Sequence, residues 1–186
     1  KTFDLSFAIA LEGNDKLKPL SKEQSVIYTY LPTSYHFGSE GFPFLVNANF
    51  ITDAGRQQLH KDSEWNKLIF SKIPYEFLSW ISDISSSYKN YWEILPEKSY
   101  GKGNPLEIIY ADEMVNAIKK IAFIPSLQNV NQKVLVADAF MDRMGIVDAI
   151  STEALVNHVN RTYSHSFVCS NQVCNIWKGS KIDRKS

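Results

Sequence analysis

The spacing of apolar residues changes between Phe50 and Trp65, and that change limits what the chain can fold into more than any other feature. Before it, Phe42, Phe44, Val46, Ala48 and Phe50 recur at every second position, the pattern of a strand with one buried face. After it, Trp65, Leu68, Ile69, Ile73, Phe77, Trp80, Ile81 and Ile84 recur at three and four, the pattern of an amphipathic helix. A strand and a helix in succession, each apolar on one side, bury those sides against each other, so an α+β fold is expected.

The rest of the chain is read on the same terms. Alternation over residues 2–11 predicts a first strand, ended by the turn-rich stretch 12–19 in what reads as a hairpin. The β-branched and aromatic run 25–31 predicts a second strand, closed by Pro32, and 35–41 reads as a loop. Asp62 or Ser63 is placed to cap the helix, with Glu64 against the positive end of its dipole. Pro74 falls inside the helical pattern and is expected to break it. Residues 88–105, rich in Gly, Lys, Asn and Pro, read as a linker or a long exposed loop. Beyond it, residues 112–120 and 152–161 predict helices, the latter capped by Ser151 or Thr152, while 122–124, 133–137 and 166–169 predict strands. The expected organisation is a subdomain over 1–87, the linker 88–105, a smaller α+β subdomain over 106–178 and a frayed tail over 179–186, the whole being a piece of a larger protein.

Composition excludes several classes. The 20 basic and 20 acidic residues cancel, so no global field draws the chain onto nucleic acid or an anionic membrane. Apolar runs such as 42–46 and 121–125 fall far short of the roughly 20 residues a membrane span requires. Two cysteines are too few to staple a domain of this size, which fits a reducing cytoplasm.

The usual chemical motifs are missing. Neither a P-loop nor a Gly-x-Gly-x-x-Gly occurs, and Gly101-Lys-Gly103 has no strand running into it. Cys169, Cys174, His158 and His165 are spaced poorly for a structural zinc site, so no metal is assigned. Asp138, Asp142 and Asp148 read as strand-end and turn residues rather than magnesium ligands. No serine sits on a turn that marks it as a nucleophile.

One segment stands out. After the strand ending near Phe50, Thr52-Asp-Ala-Gly55 leads to Arg56 at a turn, and a capped helix follows. A guanidinium is always charged and donates two parallel hydrogen bonds, which suits a phosphate. A loop arginine offered to a neighbouring domain can therefore sense or stabilise a γ-phosphate. The bland reading is an exposed arginine paired with Asp53 or Asp62.

On Phe50-Ile-Thr-Asp-Ala-Gly-Arg56-Gln-Gln-Leu59, with Tyr30-Leu-Pro-Thr33 and Gly41-Phe-Pro-Phe-Leu-Val-Asn-Ala-Asn-Phe50 before it and Asp62-Ser-Glu-Trp-Asn66 after it, the sequence resembles a known family. It is similar to the middle region that follows the ATP-binding domain in heat shock protein 90 and its relatives, especially the large sacsin-like ATPases. Phe123-Ile-Pro125 and Val134-Leu-Val-Ala-Asp-Ala139 add to the likeness, which covers roughly residues 1–85 and, more weakly, 106–150. The resemblance implies a transducer module, a split βαβ sheet backed by helices, docking on an N-terminal ATP-binding domain of the same parent chain. Arg56 stands in the place of that family's arginine that contacts the γ-phosphate, and so is the expected catalytic and ATP-contacting residue. His60 and Gln57 stand where the chaperone carries Gln and Glu. ATP and magnesium are implied for the parent and none for this segment, and a client or partner protein is implied as well. The alternative is a non-catalytic interaction scaffold that docks a partner through Tyr88, Tyr91, Trp92 and Tyr100.

Overall fold

The computed structural model describes residues 3–39, 41–95, 103–141, 146–162 and 167–169 of the 186. Strand β1 (Leu5–Ala8) is followed by a small hairpin of β2 (Ala10–Glu12) and β3 (Lys16–Lys18), and then by β4 (Val26–Thr29), β5 (Leu31–His36) and β6 (Leu45–Ala48). Four of these form one mixed sheet in the order β1-β6-β4-β5. β1 runs antiparallel to β6, with Leu5 opposite Ala48 and Ala8 opposite Leu45. β4 runs parallel to β6 and antiparallel to β5.

The alternation read over 42–50 holds side chain by side chain, because Phe42, Phe44, Val46, Ala48 and Phe50 are all buried. Pro32 does not close a strand, and 35–41 is not simply a loop. The chain reverses at Tyr30, whose φ is +63°, and Pro32 lies inside β5. β5 is an edge strand, where a residue without an N–H is tolerated. Tyr35 and Phe37 then turn inward to the core.

Helix α1 (Glu64–Ile84) covers the sheet, with Ser63 as its cap, accepting from the Asn66 N–H. Its buried stripe is Asn66, Ile69, Phe70, Ile73, Pro74, Phe77, Leu78 and Ile81. The expected break at Pro74 does not occur, and the helix runs through it. A proline inside a helix costs about 3 kcal/mol relative to alanine. Here the ring itself belongs to the buried stripe, and packing rather than propensity holds a protein helix together. Phe77 stacks on Phe44 with centroids 4.4 Å apart, Phe7 meets both edge-on, and Trp80 packs at the rim of the group.

Helix α2 (Pro105–Ile118) lies along α1 and starts well before the predicted 112–120. Asn104 caps it, accepting from the Leu106 N–H at 3.0 Å, and Pro105 occupies the first helical position, where its missing N–H costs nothing. Leu106, Tyr110, Met114, Ala117 and Ile118 enter the same core as the sheet and α1. The described part of 88–105 is also not an exposed loop. Tyr91–Ile94 form a 3-10 turn whose Tyr91 and Ile94, with Leu95, are buried in that core. Asn90 ties this turn to β3, accepting from the Leu17 N–H at 3.0 Å and donating to the Leu17 carbonyl at 2.8 Å.

The remaining elements are short. β7 (Ile124–Pro125) pairs with β8 (Lys133–Val134), so the predicted strands at 122–124 and 133–137 are shifted and shortened; Val136–Asp138 form a 3-10 turn instead. β9 (Ala139–Met141), α3 (Ile146–Ala149), α4 (Thr152–Thr162) and β10 (Phe167–Cys169) follow, with β10 parallel to β9. Ser151 caps α4 by accepting from the Ala154 N–H at 3.2 Å. Leu155 and Val159 of α4 form a second small apolar cluster with Leu127 and Val156. The fold class is α+β. Among the described residues, no helix is long and apolar enough to cross a membrane.

Candidate functional site: the arginine loop

Between β6 and α1 the chain makes a narrow excursion over residues 51–60, and Arg56 lies at its tip. The excursion is a short antiparallel pairing. Thr52 bridges Leu59, the Asp53 N–H donates to the Gln58 carbonyl at 3.1 Å, and the His60 N–H donates to the Ile51 carbonyl at 3.0 Å. Asp53 shapes the tip. Its carbonyl accepts from the Arg56 N–H at 3.1 Å, and its carboxylate accepts from the Gln57 N–H at 2.7 Å. Leu59, 2% exposed, anchors the returning arm in the core.

Arg56 has φ +54°, in the left-handed region that a residue with a Cβ occupies at a cost of about 1 kcal/mol or more. Its carbonyl accepts from the Ser34 N–H of β5 at 3.2 Å, so the tip rests on the edge of the sheet. Its side chain is exposed, and among the described residues no hydrogen bond or ion pair engages the guanidinium. The bland pairing with Asp53 or Asp62 is therefore not made: Asp53 is committed to the Gln57 N–H and Asp62 is exposed. An exposed planar fork with no partner among the described residues is available to a bidentate anion.

The base of the loop is held by two residues of the first turn of α1. The Trp65 indole N–H donates to the Asn49 carbonyl at 2.9 Å. Asn66, 0% exposed, accepts from the Ile51 N–H at 2.8 Å and donates to the carbonyls of Ile51 at 2.8 Å and His60 at 3.0 Å. Sequence reasoning gave neither residue a role. A signal existed for Asn66, which is polar yet falls on the stripe that continues through Ile69, Phe70 and Ile73. Gln57 and His60 are both exposed on the returning arm, on either side of Leu59.

The other candidates do not converge on this loop. Tyr91 is buried, and Tyr88 and Trp92 are partly buried against the core; Tyr100 lies outside the described residues, as does Gly101. His158 is exposed on α4, while His165 and Cys174 lie outside the described residues, as does Asp142. Among the described residues, no group of three or more His, Cys, Asp or Glu is placed to hold a metal ion. No protein-family model, no curated protein and no solved structure matches the chain.

Proposed function

We propose that the chain is the middle, transducer-type region of a cytoplasmic heat shock protein 90-like ATPase, in which Arg56 reaches ATP held by an ATP-binding domain that precedes it in the parent chain. The observation that carries this reading is an unpaired, exposed guanidinium at the tip of a loop fixed to a rigid sheet and helix. In the reaction, Arg56 donates two hydrogen bonds to oxygens of the γ-phosphate and balances the charge that spreads over them as the terminal bond breaks. ATP and its magnesium belong to the neighbouring domain, and this chain supplies the cation. The finer description of the fold as a split βαβ transducer belongs to the same proposal; the mixed sheet that feeds α1 through the arginine loop supports it. The scaffold alternative draws no support from Tyr88, Tyr91 and Trp92, which pack toward the core rather than outward.

The test is ATP turnover by the parent chain carrying Arg56→Ala. A fall in kcat of about 10²-fold or more, with KM little changed, is expected for the loss of a contact made mainly in the transition state. Unchanged turnover removes Arg56 from the mechanism.

A further inference from the structure

At the base of the arginine loop, the pairing of Ile51 with His60 departs from the regular ladder. In an antiparallel ladder, facing residues alternate between pairs that exchange both N–H to carbonyl bonds and pairs that exchange none. Ile51 and His60, next to the bridge between Thr52 and Leu59, stand at a position of the first kind. Ile51 and His60 make only one of the two, from the His60 N–H to the Ile51 carbonyl at 3.0 Å. In place of the other stands the carboxamide of Asn66. The Ile51 N–H donates to its Oδ1 at 2.8 Å, and its Nδ2 donates onward to the His60 carbonyl at 3.0 Å. The second Nδ2 hydrogen reaches the Ile51 carbonyl at 2.8 Å. A side-chain amide has thus been inserted between two backbone arms as an extra peptide group, with both of its hydrogens and its oxygen in use. Asparagine alone has these donors and this acceptor at this reach. Aspartate lacks the donors, glutamine is one methylene too long, and leucine satisfies none of the three backbone groups.

We propose that Asn66 is the positioning residue of the arginine loop. By joining both arms to the first turn of α1, it fixes the position of the backbone from which the Arg56 side chain extends; its consequence for turnover rests on the function proposed above. Without it, residues 51 and 60 keep only the His60 N–H to Ile51 carbonyl bond and lose their tie to α1, so that a small rotation at the base shifts the tip. A displacement of about 1 Å at a reacting group is enough to cost 10²-fold in rate.

The experiment has two arms. In the 186-residue chain, amide hydrogen exchange is measured for Asn66→Ala and, as a control, for Ser63→Ala, which removes the cap of the same helical turn but leaves the Asn66 side chain in place. Asn66→Ala is expected to raise exchange at the Ile51, Asp53, Arg56 and His60 amides by about tenfold relative to residues 70–77, and Ser63→Ala is not. In the parent chain, Asn66→Ala is expected to lower kcat by about tenfold or more at nearly constant KM, and to add nothing to Arg56→Ala in the double variant. Unchanged loop exchange overturns the proposal, as does an unchanged kcat in Asn66→Ala where Arg56→Ala is impaired. If Arg56→Ala itself has normal turnover, the proposed function fails instead, and the exchange arm alone decides the role of Asn66. Should Asn66→Ala not fold, Asn66→Asp carries both arms, since it keeps the volume and the acceptor for the Ile51 N–H but loses both donations.

Discussion

The Ser34 N–H donates to the Arg56 carbonyl at 3.2 Å, so edge strand β5 holds the tip of the loop while α1 holds its base. The guanidinium is exposed, yet the backbone that carries it is fastened at both ends. That combination separates what the side chain does for function from what the backbone does for stability, and the two can be measured apart.

Because Arg56 sits at φ +54°, replacement by glycine relieves a conformation that alanine does not. Arg56→Gly is expected to unfold at a temperature about 2–4 °C above that of Arg56→Ala, equivalent to roughly 1 kcal/mol for a domain of this size. Both variants lack the guanidinium and are expected to be equally defective in the parent. Identical melting temperatures would show that the turn carries no strain.

The carboxylate of Asp53 accepts from the Gln57 N–H at 2.7 Å and braces the tip from within. Asp53→Ala is expected to cost only about 1 kcal/mol in global stability, since the bond is exposed. Its local effect should be larger. Limited trypsin digestion is expected to cut after Arg56 several times faster than in the unaltered chain, and an unchanged cleavage rate would mean that the turn holds without its brace.

Phe77 is fully buried and stacks on Phe44 at 4.4 Å, with Phe7 against the edge of both. Truncation leaves a cavity at the junction of helix and sheet. Phe77→Ala is expected to lower the free energy of unfolding by about 3–5 kcal/mol, a large part of the roughly 5–15 kcal/mol available to a domain. Urea denaturation monitored by tryptophan fluorescence measures it directly. A loss below about 1 kcal/mol would place the folding core elsewhere.

Burial pushes the Tyr35 phenol up to about 12, although a hydrogen bond from Asn104 at 2.9 Å works in the opposite direction. The folded state therefore favours the neutral phenol. Its contribution is fully present below the unfolded value near 10 and is lost as pH rises from about 10 to about 12, on the order of 2 kcal/mol in all. Urea midpoints at pH 9 and pH 12 measure the loss, and Tyr35→Phe is expected to show a shallower fall. Parallel profiles for the two proteins would rule out Tyr35 as the titrating group.

Side-chain periodicity made the central strand and α1 legible. Phe42 to Phe50 alternate and Trp65 to Ile84 keep helical spacing, and both patterns match the burial except at Leu68, which is exposed. Proline was misread twice for one reason. Pro32 and Pro74 are local breakers, but an edge strand hides the missing donor of the first and core packing outweighs the cost of the second. The start of α2 was hidden by the glycines and lysine at 101–103, although Asn104 followed by Pro105 is a recognisable capping signal. Tyr91, Ile94 and Leu95 carry no regular period, so their burial follows only from tertiary contacts. At the candidate site, chain order placed Arg56 between strand and helix. The bonds from Ser34 and Asn66 that hold its loop join residues far apart in sequence, and no local pattern announces them.

Helix α1 spans 21 residues, about 31 Å at the usual rise, and most of its inner face is wedged between the sheet and α2. Its first turn grips the arginine loop through a carboxamide with no slack in any of its bonds. The base of the arginine loop is thereby tied to a helix that is packed along its length, so the arginine is presented from the folded body rather than from a loose tether.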